Sequence, residues 1–395
     1  MKFAVILPDG AHDVPLAALG GLTPLAAARH PHLDEVVRAG QIGRTVTIPA
    51  GFTPGTDVGT LSLFGYDPHV HYSGRAPIEA AAKHLAVRPD QLVFRCNFVV
   101  VREGVMRDNT GGHITQDEAD ALVAALQEEL ADQGCTVVAG VTYRNLLLLD
   151  DAADLDISCA PPHDILDQPI AGHLPRGGGA ARLLSLTARA DAIVARHPVN
   201  ARRRERGQEP ISGIWLWGQG RPTQCRAFSD RFGLRAAAIT AVDILRGLAV
   251  LTGMDLIEVP GATGFLDTDY DAKGRAAVAA LDSWDLVIVH VEAADEAAHM
   301  GNAAEKVRAL ERIDEAVVGP VLARLRQFSA WRILVAADHA TLTTTRGHSA
   351  IPPLFAWAGT GIPAEGRGGF DEASAESGGL WIREGHRLME MFLAE

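Results

Sequence analysis

Asp338 and His339 stand side by side after an apolar run at residues 333–337, and His348 follows nine residues after His339. Carboxylates and imidazoles without thiolates suit hard or borderline divalent cations such as manganese, zinc or magnesium. Two other stretches repeat the layout. Apolar residues 3–7 lead into Asp9, and apolar residues 286–291 lead into Asp295 and, four positions on, His299. If that last segment is helical, Asp295 and His299 share one face. A hydroxyl joins the set: Thr56 follows Pro54-Gly55 at what reads as a helix start, where free amides favour an anion such as phosphate. Simple capping of that helix is an equally open role for Thr56. Six ligands exceed what one ion needs beside water and substrate. Two ions about 4 Å apart would clamp the attacking and leaving oxygens of an in-line phosphoryl displacement. A threonine hydroxyl beside one of them could lose its proton and attack phosphorus, as its own pKa would not otherwise allow at neutral pH.

The elements that must position these groups are three buried strands, each releasing its ligands at its C-terminal end. In open α/β sheets that edge is where ligands bind. Between residues 79 and 199 the pattern changes. Residues 93–102 and 140–149 read as strands and residues 116–133 as a helix, a smaller α+β unit set into the main sheet. The expected division is therefore a core of residues 1–78 and 200–395, with an inserted domain at 79–199. Gly177-Gly178-Gly179 lacks a P-loop ending and reads as a flexible loop. The basic run at residues 202–206 reads as a solvated face, and Trp215 and Trp217 as core.

Composition excludes several roles. The chain has 395 residues, 47% hydrophobic, with net charge −13. No basic stripe has interleaved aromatics, so nucleic acid is not an expected partner. An acidic protein still binds anions where a local cationic pocket exists. Four scattered cysteines without a CxxC pair point to reduced thiols and a cytoplasmic protein. The opening MKFAVILPDG is too short in apolar residues for a signal peptide, and no run approaches the roughly 18 residues of a membrane span.

At this point the sequence resembles a family. The stretches PDGAHDVP, PGTDVGTLSLFGYDP, YSGRAPIEAAA, RCNFV, GGHIT, TYRNLLL, PPHDI, HPVNARR, VPGATGFLDTDYDAKG, HVEAADEAAHMGN and AADHATLTTTRGHS, spread over nearly the whole chain, resemble the cofactor-independent phosphoglycerate mutases of the archaeal type, a branch of the alkaline phosphatase superfamily. The resemblance implies an alkaline-phosphatase-like α/β core, its largely parallel sheet flanked by helices, with an inserted α+β cap. It implies one metal site of Asp9, Thr56, Asp338 and His339, and another of Asp295, His299 and His348. It implies two divalent ions, manganese foremost with zinc, magnesium or cobalt as alternatives, and no 2,3-bisphosphoglycerate. The substrate would be a small phosphorylated carboxylate, held by Arg75, Arg95, Arg144 and Arg203, with His113 and Lys273 in catalytic roles. Each of these cations is equally readable as a salt-bridge former. No membrane or nucleic-acid partner is implied, and the chain would be a monomer or small homo-oligomer.

By the same resemblance Thr56 would take the phosphoryl group from 3-phosphoglycerate and return it to the other hydroxyl of glycerate. Such a cycle requires water to be excluded. Two positions depart from the family pattern: Thr56 stands where serine is usual, and Ile351 where relatives commonly carry aspartate. Two alternatives stay open. Bacterial relatives sharing the IWLWGQG stretch have been proposed as homoserine kinases, and a non-catalytic metal-binding homologue would also accommodate the two departures.

Overall fold

Strands 2–8, 286–291 and 331–336 are largely apolar on both faces, the pattern of parallel strands covered on each side by helices. The computed structural model describes residues 1–394 and divides into two units, one of Met1–Tyr72 with the return segment from Gln224 onward, the other of Ser73–Thr223.

The first unit carries an eight-stranded sheet. Across it run Leu380–Ile382, Gly40–Thr45, Leu354–Gly359, Trp331–Ala336, Lys2–Pro8, Leu286–Val291, Ala236–Ile239 and Asp255–Leu256. Only the Leu354–Gly359 strand runs antiparallel to its neighbours. Lys2–Pro8 lies between the other two ligand-bearing strands, with Ile6 opposite Val289 on one side and Val335 on the other. All three side chains are fully buried, each contributing about 1.5–3 kcal/mol. This register sets Asp9, Glu292 and Asp338 along a single C-terminal edge, far apart in the chain but adjacent in space. The helix Thr56–Leu63 starts immediately after Gly55, so Thr56 is its first residue and glycine takes the cap position. Gly59 on this helix packs against the carbonyl of Asp338, where an added Cβ would come within 2.3 Å. A larger residue there would push the helix off the strand end.

The second unit is built on the long strand Leu92–Arg102, which pairs antiparallel with Val105–Asp108, Arg144–Leu149 and Gly213–Gly220. Cys135–Val141 completes the sheet beside Arg144–Leu149. Helices Gln116–Leu130 and Ala180–Arg196 cover one face with Leu122, Leu126, Leu183 and Ile193. The former begins with a reciprocal capping box between Thr115 and Glu118.

The α/β class and the inserted smaller unit are as the sequence implied, but the boundaries move. Residues 73–78 and 200–223, assigned above to the core, belong to the second unit, because Gly213–Gly220 pairs with Leu92–Arg102 and the helix Arg75–Ala82 packs on both strands. The strand expected at 140–149 is the tip and return of a hairpin, turning through Thr142 at φ 51°. The helix expected to reach residue 133 ends at Leu130 and tightens into a 3-10 turn. Among the described residues no helix is long and apolar enough to cross a membrane.

Candidate active site

Asp9, Asp338 and His339 meet at the edge of the sheet, all three fully buried. His339 Nε2 lies 3.4 Å from Asp9 Oδ1, 3.2 Å from Asp338 Oδ2 and 3.1 Å from Thr56 Oγ1, which is itself 3.5 Å from Asp9 Oδ2. The second group is Asp295, His299 and His348. His299 Nε2 is 3.1 Å from Asp295 Oδ2 and 3.0 Å from His348 Nε2, and the latter is 3.6 Å from Asp295 Oδ1. Asp295 and His299 lie on one short helix, Ala293–His299, as their spacing required. All seven expected ligands are thus gathered in these two groups, from strand ends, a helix start and a small β-ribbon.

The ribbon has a part of its own. Ala340–Leu342 pairs with Gly347–Ser349, placing Thr341 opposite His348. The Thr341 hydroxyl lies 2.5 Å from Asp295 Oδ1 and 3.1 Å from His339 Nδ1, so it touches one residue of each group.

A third cluster adjoins the first. His290 Nε2 contacts Asp9 Oδ2 at 2.8 Å and Glu292 Oε2 at 3.4 Å, and Lys273 Nζ donates to the His290 carbonyl at 3.1 Å. Burial, then the negative charges of Asp338, Glu292 and Asp295, push the Asp9 carboxyl well above its usual range. Burial likewise lifts Glu292 to about 7 and draws Lys273 down to about 8. Asp9 Oδ1 and Asp338 Oδ2 make no hydrogen bond although both are buried. Crowded carboxylates with unused oxygens beside imidazole nitrogens fit divalent cations, which would supply the missing positive charge.

In the second unit, three of the expected substrate-binding cations cluster. Glu79 holds Arg95 Nε at 3.1 Å and Arg75 Nε at 3.3 Å. The Arg95 guanidinium stacks 4.1 Å above the Trp217 ring. Burial, with Arg75 and Arg144 nearby, lowers Arg95 to about 10 against the pull of Glu79. Two cations do not join them in this way. Arg203 is fully buried and spends its guanidinium on Glu118 at 2.7 Å and on the carbonyls of Gly111, Gly112 and Glu209. It is a structural clamp rather than a free anion ligand, and the only buried member of a basic run that is otherwise exposed. His113 sits on the exposed turn that Arg203 braces, at φ 55°.

Sequence reading passed over Thr341, His290, Glu292, Lys306 and Glu79. His290 and Glu292 sat inside quoted stretches, but one histidine in an apolar strand is more often core than site. Lys306 was not singled out as a site residue: it lies on the helix Ala303–Ile313, is fully buried, and pairs with Asp13 at 2.9 Å. Trp217, expected as core, is buried but also forms the platform under Arg95.

Fold and site define a class: an α/β protein that gathers carboxylates, imidazoles and threonine hydroxyls at the C-terminal edge of its sheet. Residues 38–200 match the family model of 2,3-bisphosphoglycerate-independent phosphoglycerate mutase. The chain is 46% identical, over the full length of both, to the enzyme of that name from Methanothrix thermoacetophila. Among solved structures it is similar to a Pyrococcus horikoshii protein (28% identity, 99% and 96% of the two chains, TM-score 0.83). It is also similar to the cofactor-independent phosphoglycerate mutase of Thermoplasma acidophilum (28% identity, 100% and 99% of the two chains, TM-score 0.69). The chain belongs to the 2,3-bisphosphoglycerate-independent phosphoglycerate mutase family.

Proposed function

We propose that this chain interconverts 3-phosphoglycerate and 2-phosphoglycerate through a phosphothreonine at Thr56. The observation that carries this reading is the position of Thr56 Oγ1, at the first turn of its helix, 3.1 Å from His339 Nε2 and 3.5 Å from Asp9 Oδ2. A hydroxyl in that place is positioned as a nucleophile whose charged form bound cations would stabilise.

Asp9, Asp338 and His339 with Thr56 would hold one divalent ion, and Asp295, His299 and His348 the other. Bound there, the ions would lower the hydroxyl pKa and neutralise charge on the transferring phosphoryl group. Thr56 Oγ gives up its proton and forms the bond to phosphorus as the bond to the 3-oxygen of the substrate breaks. That oxygen takes a proton, leaving glycerate. The return step reverses these bonds at the 2-hydroxyl, so no phosphate is lost and no second phosphorylated cofactor is consumed. Arg75, Arg95 and Arg144 are the groups we assign to the carboxylate and phosphate of the substrate, as guanidinium forks match both. Lys273 and His113 complete the assignment as proton-handling and positioning groups. Manganese is the metal we assign, with zinc, magnesium or cobalt as substitutes, and the cytoplasm is the compartment.

A coupled enolase assay on 3-phosphoglycerate, without 2,3-bisphosphoglycerate, tests the reading. Activity that disappears with a chelator and returns with manganese is expected. Absence of turnover in the manganese-loaded protein, or phosphohomoserine formed from ATP and homoserine at a faster rate, overturns it.

A further inference from the structure

Thr341 is fully buried. Its hydroxyl carries one proton and two lone pairs, whereas an ionised carboxylate only accepts. At 2.5 Å from Asp295 Oδ1 the hydroxyl therefore donates to Asp295. Its proton is then spent, so at 3.1 Å from His339 Nδ1 it must accept the N–H of that ring. This leaves the Nε2 lone pair of His339 facing Asp9, Asp338 and Thr56. One hydroxyl thus fixes a ligand of each cation group.

The rest of the residue is equally constrained. The Thr341 N–H donates to the His12 carbonyl at 3.2 Å, and its own carbonyl accepts from Lys306 Nζ at 2.7 Å. Gly10, at φ 59°, leaves space for the bridge: a Cβ there would stand 2.6 Å from both Thr341 Oγ1 and Asp295 Oδ1.

We infer that Thr341 is a positioning residue that selects the Nδ1–H tautomer of His339 and couples the two cation sites, so that loosening it weakens both. The inference rests on His339 and Asp295 being cation ligands. It is read without substrate, so a chain that binds both ions yet turns over no phosphoglycerate leaves it standing. Histidine ligands depend on the acceptor of their other N–H, typically by 10- to 100-fold in affinity.

The test is calorimetric titration of the metal-free full chain with manganese, for wild type, Thr341→Val and Thr341→Ser. Thr341→Val keeps the shape and is expected to weaken both binding events by about 10- to 100-fold, while Thr341→Ser restores them to within about threefold. Wild-type affinity in Thr341→Val, or loss confined to one event, overturns the inference. Because the valine variant risks misfolding, the tautomer is also read directly, by nitrogen-15 imidazole spectra of the zinc-loaded wild type. A proton on His339 Nδ1 is expected. A proton on Nε2 overturns the inference without recourse to any variant.

Discussion

His299 and His348 face each other through their Nε2 atoms at 3.0 Å, while each turns Nδ1 toward a backbone carbonyl, Arg346 O at 3.0 Å and Pro54 O at 3.2 Å. A carbonyl only accepts, so each Nδ1 carries a hydrogen, and a cation that displaces the protons Asp295 draws onto these rings would find a lone pair at each Nε2. Two lone pairs and the Asp295 carboxylate converge on the same space, an arrangement suited to one shared cation. His348→Ala is accordingly expected to bind one fewer divalent ion per chain than wild type, measured by elemental analysis after equilibrium dialysis. Unchanged stoichiometry would contradict the assignment.

Thr56 separates a nucleophile from a helix cap by chemistry. Thr56→Ala removes the hydroxyl and is expected to lower kcat on the order of 10³-fold or more, whereas Thr56→Ser keeps it and remains active. Turnover of phosphorus-32 substrate, quenched in acid, should leave label on the peptide containing Thr56. Full activity without label at that residue would remove Thr56 from the reaction path.

Lys306 and Asp13 form a fully buried ion pair beneath the ribbon. Breaking such a pair from one side leaves an uncompensated charge, at a cost of about 3–5 kcal/mol. Lys306→Met should therefore lose that much stability in urea unfolding, and the double variant with Asp13→Asn should recover part of it. A double-variant loss equal to the sum of the Lys306→Met and Asp13→Asn losses would show that the pair is not coupled.

Arg95 and Arg203 differ in what they touch, and the same substitution should separate them. Lysine cannot reproduce a stacked or forked guanidinium. Arg95→Lys is expected to raise KM for 3-phosphoglycerate about tenfold with little change in melting temperature. Arg203→Lys should instead lower the melting temperature, because Glu118 and three carbonyls lose their donors. A reversal of these two outcomes would return Arg203 to the substrate.

Asp191, in the second unit, gives a pH signature of its own. Burial raises its pKa from 3.8 to about 6, although Oδ1 accepts the Ile214 N–H. The folded pKa lies above the unfolded one. Below about pH 4 both states are protonated and nothing is lost. Between about pH 4 and 6 the unfolded chain ionises first, so stability falls as pH rises, then levels off. Asp191→Asn keeps the acceptor and removes the titration. Its stability relative to wild type should grow from pH 4 to pH 7 by at most about 3 kcal/mol. A difference independent of pH would refute the burial argument.

How much of this was legible beforehand differs from residue to residue. Asp9, Asp295 and Asp338 were readable because each follows an apolar strand, and His299 because four residues of helix return it to the face of Asp295. Arg203 looks solvated or substrate-seeking as a guanidinium in a basic run until its partners are seen, and those partners are the Glu118 carboxylate and three carbonyls. The edge of the second unit was misplaced for a similar reason. Strand pairing between Leu92–Arg102 and Gly213–Gly220 links segments over a hundred residues apart, and no local pattern announces it.

The sequence by itself determined which carboxylates, imidazoles and hydroxyl would lie at the strand ends and on one helix face, since strand ends and helix spacing are local consequences of apolar periodicity. Only the tertiary structure decided how those groups are oriented. Hydrogen bonds act over about 3 Å, so the role of Thr341 exists only once parallel pairing and the ribbon bring Asp295, His339 and Thr341 together. A lysine such as Lys306 is written in the chain as a charge, and only folding turns it into a buried strut.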